Sequence, residues 1–268
     1  MASDAPPGAA ARPTSAAWTA VYDQVRELEG RRYPDAVVAR LPDVPREDPF
    51  HAEWRCRADS ADRLVHHLAG SPMPLEIVEV GCGNGWLSAR IARSVGARSV
   101  GARVVGIDVN VREIDQARRV FGSVPDLSFV VADAQLAGSP LPRPTTIVLA
   151  SVIQYVADAP ALLRRLLGWL PPGGELHLLD SPLYRPGEAA AARSRSEAYY
   201  ARLGVPVMAA SYHHHEVGIL DGFTAEFLHD PDALGSRIAA RLPGRRPSPF
   251  PWIRIRRPAE ADRSARDR

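Results

Sequence analysis

The spacing of apolar residues divides the chain into a head, an alternating middle and a less regular end. Residues 1–16 are mostly Ala, Pro, Gly, Ser and Thr, with too little to bury to offset the entropy of ordering, so a disordered start is expected. Trp18, Val21, Tyr22, Val25 and Leu28 then recur at helical spacing, with Ser15 placed to cap the helix and Gly30 to stop it. Between Arg31 and Phe50, Pro34, Pro42, Pro45 and Pro49 predict an extended connection. A second helix is expected from near Ser60, burying Leu64, Val65 and Leu68 and ending at Gly70. Residues 17–70 together read as an N-terminal helical cap.

From residue 71 the pattern alternates. Apolar runs at Leu75–Val80, Arg103–Asp108, Leu127–Ala132, Thr146–Ser151 and Glu175–Leu179 predict five strands. Helical patterns separate them at Leu87–Val95, after an Asn110 cap to Phe121, and from Asp158 or Ala159 to Leu170, before Pro171-Pro172-Gly173-Gly174. Strand, helix, strand in this rhythm means an α/β fold around a parallel sheet. After Asp180 the alternation stops. Glu188–Leu203 has helical propensity, Val217–Leu220 reads as a short helical turn, and Phe223–Leu228 and Trp252–Ile255 read as strands. The alternating unit is therefore placed at 71–257, with a charged tail at 258–268. A five-residue tandem repeat, Ser94 to Arg98 and again Ser99 to Arg103, lengthens one connection and carries no chemistry.

Composition narrows the possibilities. The 33 basic residues are all arginine, the net charge is +2, and no basic stripe is interleaved with aromatics, which disfavours a nucleic-acid partner. No apolar run approaches the roughly 18 residues of a membrane span, and no signal-peptide pattern opens the chain, so a cytoplasmic setting without membrane contact is expected. Cys56 and Cys82 are too few for a disulfide framework and read as free thiols.

The chemistry concentrates where the first strand ends, in Glu79-Val80-Gly81-Cys82-Gly83-Asn84-Gly85-Trp86. Alternate glycines let the backbone turn tightly and lie close to a ligand at the next helix's N-terminus. Trp86 stands where a GxGxxG dinucleotide fingerprint would need its last glycine. An acid two residues ahead of GxGxG resembles motif I of the class I S-adenosylmethionine-dependent methyltransferases, and the resemblance runs from about Leu75 to Asp180, with weaker echoes to about residue 256. It implies a Rossmann-like, doubly wound, seven-stranded, mostly parallel sheet with an antiparallel last strand. The implied cofactor is S-adenosyl-L-methionine, with Gly81, Gly83 and Gly85 along its methionine and ribose and Glu79 at its amino end. In Gly106-Ile107-Asp108-Val109-Asn110, the resemblance puts Asp108, with Val109, at the ribose hydroxyls. It puts Asp133 and Ala134 at the adenine, and Ser151 and Tyr155, after the fourth strand, beside the reactive methyl.

The family pattern is not complete. An acid common early in the fourth strand is Thr146 here, and the Asp or Asn, Pro-Pro, aromatic motif of many amino-methyltransferases is missing after that strand. Methyl transfer to oxygen of a small molecule is the reading this favours, in the setting of bacterial secondary metabolism. Transfer to nitrogen and non-methyl-transfer chemistry on the same scaffold, as in a cyclase or isomerase, stay open. A hydroxyl acceptor needs a base, and His213, His214 and His215 are candidates beside Tyr155, with Asp180 placed to orient a base or cap a helix. The histidines also invite a metal reading, but neighbours in an extended segment point to opposite faces, so no metal is assigned. Trp54, Arg55 and Arg57 read either as an anion-binding group or as a packed Trp with surface arginines. A monomer or homodimer is expected.

Overall fold

A computed structural model describes residues 15–71, 75–96, 102–239 and 248–258 of the 268. The expected disordered start and charged tail, at 1–14 and 259–268, and the middle of the tandem repeat, at 97–101, lie outside the described residues. Seven strands form one sheet: β1 Glu76–Val80, β2 Arg103–Asp108, β3 Leu127–Val131, β4 Thr146–Ala150, β5 Glu175–Leu179, β6 Thr224–His229 and β7 Trp252–Arg256. Their order is β3-β2-β1-β4-β5-β7-β6. β1 to β5 pair in parallel, and β7 runs antiparallel to both β5 and β6. The strand order reverses between β1 and β4, which is where doubly wound sheets open a crevice beyond the strands' carboxyl ends.

The four central strands are apolar along their length because helices cover both faces. On one face, α3 His51–Ala69, α4 Trp86–Gly96 and α5 Val111–Phe121 pack over Ile77, Val104 and Val148. On the other, α6 Ala159–Trp169 packs over Val78, Val105, Ile147 and Leu178. A third, smaller apolar cluster stands apart from both. It joins Val25 of α1 Ser15–Leu28 to Tyr200 of α7 Ala189–Arg202 and to Val205 and Met208. This cluster roofs the carboxyl ends of the strands.

The strand boundaries fall within a residue or so of those expected. Asn110 and Asp158 cap α5 and α6 by accepting from Arg112 N–H and Ala161 N–H. Gly30, at φ 69°, ends α1 in a Schellman turn: its N–H donates to Glu27 O (3.0 Å) and that of Arg31 to Arg26 O (2.9 Å). Four expectations need correction. Ser15 lies inside α1 rather than capping it. The proline-rich connection contains a short helix, α2 Asp35–Val38, because Val38 finds a fully buried site. α3 starts nine residues before Ser60, its stripe of Trp54, Ala61, Leu64 and Leu68 continuing through residues too polar to signal it. α3 also belongs to the sheet's own layer, so of the expected cap only α1 sits in the roof. A short helix, α8 Leu234–Ala239, follows β6.

Candidate active site

The glycine loop is closed by packing from behind. Gly81 and Gly85 adopt φ of 71° and 80°, where side chains are strained. A Cβ on Gly85 would lie 2.6 Å from Phe129, and one on Gly81 2.5 Å from Val152. The N–H groups of Gly81 and Cys82 both donate to Ile107 O (2.8 and 3.0 Å), tying the loop to the end of β2. Gly83 N–H donates to Asp108 Oδ2 (2.9 Å), while Asp108 Oδ1 accepts from Asn110 N–H (2.8 Å). Beyond Gly83 there is open space, with Glu113 Oε2 of α5 the nearest atom to a Cβ placed there, at 3.7 Å.

That space is part of a cavity of about 920 Å³. Its floor is Glu79, Gly81, Cys82, Gly83 and Glu113, and its far end is Ser151, Tyr155 and Asp180, at the ends of β4 and β5. Tyr22 and Arg26 of α1 and Arg195, Tyr199 and Tyr200 of α7 close it from above, with Tyr184 and Tyr212 at the side. Two polar links hold α1 in place. Asn110 Nδ2 donates to Asp23 Oδ1 (2.8 Å), and Tyr199 OH donates to Glu29 Oε1 (2.6 Å).

The floor is acidic and its acids lack cations. Glu79 is 2% exposed and accepts from the Ser88 hydroxyl. Burial pushes its carboxyl up to about 8, with Asp108 adding to the shift and Ser88 opposing it. Burial likewise raises Asp108 against its backbone hydrogen bonds, and Glu113 against the field of Arg26. Among the described residues, none of the three carboxylates makes an ion pair with an arginine.

Of the residues expected from sequence, Glu79, Gly81, Gly83, Ser151 and Tyr155 line the cavity. Gly85 and Asp108 stand immediately behind the lining and shape it. Val109, Asp133 and Ala134 are not part of the wall. Asp133 Oδ1 accepts from Gln135 N–H (2.8 Å), a local turn, and the carbonyl of buried Ala134 accepts from Arg165 Nε (3.0 Å). Trp54 and Arg57 reach the cavity, with Arg57 paired to Glu53 at 3.0 Å, whereas exposed Arg55 does not.

The histidine expectation is corrected. None of the three imidazoles lines the cavity. His214 is 7% exposed, with Nε2 on the Ser196 hydroxyl (2.8 Å). His215 Nε2 donates between Ile153 O and Val156 O (3.0 and 2.9 Å). His213 donates its backbone N–H to Gln154 O (2.6 Å), and its ring sits 6.1 Å from that of His215. The extended segment therefore braces the 3₁₀ turn Ile153–Tyr155 instead of delivering a base.

Sequence reasoning missed Glu113 and Arg26 and gave Asp180 only a supporting part. Glu113 sits three residues after the Asn110 cap, a position that reads as helix chemistry unless the loop is known to face it. Asp180 and Ser151 have φ of 50° and 59°, a conformation that non-glycine sequence does not announce.

At the opposite end of the sheet, His67, Glu175 and His177 lie close enough to suggest a metal. Trp252 Nε1–H, which can only donate, points at His177 Nδ1 (3.2 Å), so the His177 proton is on Nε2. That proton faces Glu175 Oε2 at 3.3 Å, and His67 Nε2 contacts the same oxygen at 2.8 Å. Among the described residues, His177 Nε2 thus carries the proton but makes no hydrogen bond at that distance, and of the two imidazoles only His67 is hydrogen-bonded to Glu175.

The sheet order and the glycine loop after β1 define the class I methyltransferase fold. A family model described as a methyltransferase domain matches residues 52–212. The chain belongs to this family of S-adenosylmethionine-dependent methyltransferases. It is 35% identical over 149 residues to trans-aconitate 2-methyltransferase of Methylobacterium radiotolerans, covering 53% of each chain. It is 28% identical over 116 residues to malonyl-(acyl-carrier protein) O-methyltransferase 1 of Ilyobacter polytropus, covering 43% of this chain and 41% of that one. The chain thus spans about half, or less, of the length of these curated relatives. Among solved structures, magnesium protoporphyrin IX methyltransferase from Synechocystis PCC 6803 with bound SAH superposes with a TM-score of 0.53 at 15% identity, covering 88% of this chain and 93% of that one. At that identity the likeness is one of fold. Among the described residues, no helix is long and apolar enough to cross a membrane.

Proposed function

We propose that the protein transfers the methyl group of S-adenosylmethionine to an oxygen of a small, flat molecule. The observation that carries this is one cavity with two unlike ends, an acidic glycine-loop floor and a tyrosine-rich wall, meeting at the ends of β4 and β5. Its volume suits a nucleoside-sized ligand with a modest second molecule. When bound, the cofactor supplies an electrophilic methyl on a positive sulfur. The floor's unpaired carboxylates complement that charge and the ammonium, and the space over Gly83 admits a ligand that a side chain would displace. Glu79 is suited to the amino end, and Asp108 keeps lone pairs beyond its two backbone donors for the ribose hydroxyls. Asp133 and Ala134 remain the proposed adenine contacts, just past the wall at the end of β3.

Tyr155, edge-on to Tyr22 and Tyr212 with ring centres 5.6 Å apart in each case, offers a flat acceptor an aromatic surface. The missing amino-methyltransferase motif supports oxygen over nitrogen, and one relative is named as an O-methyltransferase. A small-molecule acceptor, a cytoplasmic setting and a place in bacterial secondary metabolism go with this reading. The test is calorimetric titration of the whole chain with S-adenosylmethionine, S-adenosylhomocysteine and NAD. Micromolar binding of both adenosyl ligands and none of NAD is expected. Binding of NAD alone would overturn the proposal.

A further inference from the structure

We propose that Asp180 accepts the acceptor's proton, and that the acceptor is a flat phenol or enol resting against the tyrosine wall with its hydroxyl toward Asp180 Oδ2. This inference rests on the methyltransferase reading above.

The argument starts from backbone strain. Ser151 and Asp180 follow neighbouring parallel strands, and both sit in the left-handed region, at φ 59° and 50°. Such a backbone is costly for residues other than glycine and persists where surrounding structure holds it. Here the hold is mutual: Ser151 Oγ donates to Asp180 O (2.9 Å), and Ser151 N–H donates to Leu179 O (2.9 Å). Both residues line the cavity where the aromatic wall begins. Gln154 Nε2 donates to Ser151 O (2.8 Å), and this fixes the turn that carries Tyr155.

The carboxyl itself is half-anchored. Asp180 Oδ1 accepts from Ser60 Oγ of α3 (2.7 Å) and from Ser248 Oγ, ahead of β7 (3.1 Å). Among the described residues Oδ2 makes no hydrogen bond, in a residue only 9% exposed. One oxygen is thus held for orientation and the other is left for a ligand. The charged groups around it are Arg57 and Glu53 of α3, and Glu53 is itself held down to about 2: burial raises it, but hydrogen bonds and charge from Arg31 and Arg57 prevail. Burial raises Asp180 above the ordinary aspartate value, and Arg57 and the two serines oppose the shift. A carboxylate with raised basicity is a better proton acceptor near neutral pH.

The other acids on the cavity wall are committed elsewhere. Glu29 is bonded to Tyr199 and Arg31, Glu53 to two arginines, and Glu79 and Glu113 belong to the floor. The three histidines do not line the cavity. In the reaction the acceptor's O–H proton passes to Asp180 Oδ2, and the oxygen's lone pair forms the new O–CH3 bond. The methyl–sulfur bond breaks with its electron pair left on sulfur, giving S-adenosylhomocysteine.

The test compares the whole chain with Asp180→Asn, using para-methoxyphenol and the more acidic para-nitrophenol as acceptors at mildly alkaline pH. Asp180→Asn should cut kcat for para-methoxyphenol ~10²-fold or more, with S-adenosylhomocysteine affinity kept within about threefold. The deficit should shrink at least ~10-fold for para-nitrophenol, which ionises without help. Independently of turnover, carbon NMR of the Asp180 carboxyl, assigned through the variant, should titrate above the usual aspartate range. Equal losses with both phenols, no loss, or no methylation of either phenol by the unaltered protein would overturn the inference while leaving the cofactor reading standing. Failure to bind S-adenosylhomocysteine would overturn both. Should Asp180→Asn not fold, Ser248→Ala removes one hydroxyl that favours the carboxylate, and the acid limb of the pH profile should move to higher pH. An unmoved limb would count against the proposal.

Discussion

The two ends of the sheet treat their carboxylates in opposite ways. At the amino end, Glu175 Oε1 takes Arg254 and Arg256 (3.1 Å each), and Oε2 faces His67 and His177. Burial alone would raise this carboxyl, but His177, His67 and Arg256 outweigh it and hold it well below the usual range. At the carboxyl end, Glu79 and Asp180 are buried and Asp108 and Glu113 partly so, and desolvation raises all four, with hydroxyl or backbone partners or the field of an arginine in place of ion pairs. One chain thus compensates charge fully where an acid serves the fold and leaves it uncompensated where a ligand is to bring the opposite charge.

The largest test of that contrast is Gly85→Ala. The loop's back is closed by Phe129 and, 2.9 Å from a Cβ, Ala117, so substitution at φ 80° should cost roughly 3–5 kcal/mol in denaturant unfolding. A loss under about 1 kcal/mol would mean that the loop yields and that its shape is not imposed from behind.

Next comes Glu175→Gln, which should cost about 2–3 kcal/mol of stability and leave S-adenosylhomocysteine affinity unchanged. Its pH signature follows from the signs. Glu175 is lowered in the fold, so its contribution is present above the unfolded value of 4.5 and is lost as pH falls. His177 is lowered by burial, so the unfolded chain gains its proton first, below 6.5, and stability falls in the same direction. The variant's acid unfolding should therefore be shallower. A change in cofactor affinity would break the separation of the two ends.

The smallest effect is expected from Glu79→Gln, and its sign is reversed. Glu79 rises from 4.5 to about 8, so its contribution to stability is present below pH 4.5 and is lost as pH rises toward 8. The variant should melt roughly 2–4 °C higher than the unaltered protein in mildly alkaline buffer and bind S-adenosylmethionine more weakly. A lower melting temperature there would show that Glu79 is compensated after all.

What the sequence disclosed follows the same division. β2 and β5 were legible to the residue because their buried apolar residues, Val104, Val105 and Ile107 in one and Leu176, Leu178 and Leu179 in the other, stand between polar or turn-forming neighbours. Asn110 and Asp158 announced two helices through side chains that bond their own backbone. The glycine loop was legible because three alternate glycines leave few other uses. The two roof helices were legible, but their packing was not: α7 is rich in Ala and Arg with little periodicity, and its buried Tyr200 packs against Val25 of α1, far away in the chain. The His213–His215 run misled because its residue type suggests a base, whereas the His213 backbone and the His215 ring brace the turn at Tyr155 and the His214 ring meets Ser196. Asp180 read equally as an orienter of a base or a helix cap because neither its left-handed backbone nor the arrival of Ser60 and Ser248 is written near it.

The third apolar cluster carries a consequence for descent. Val25, Tyr200, Val205 and Met208 pack with one another and share no buried residue with the clusters on either face of the sheet. Substitutions within this group should reshape the wall above the cavity without shifting the register of the strands below. A lineage built this way can inherit its grip on a common donor intact while its descendants trade one acceptor for another.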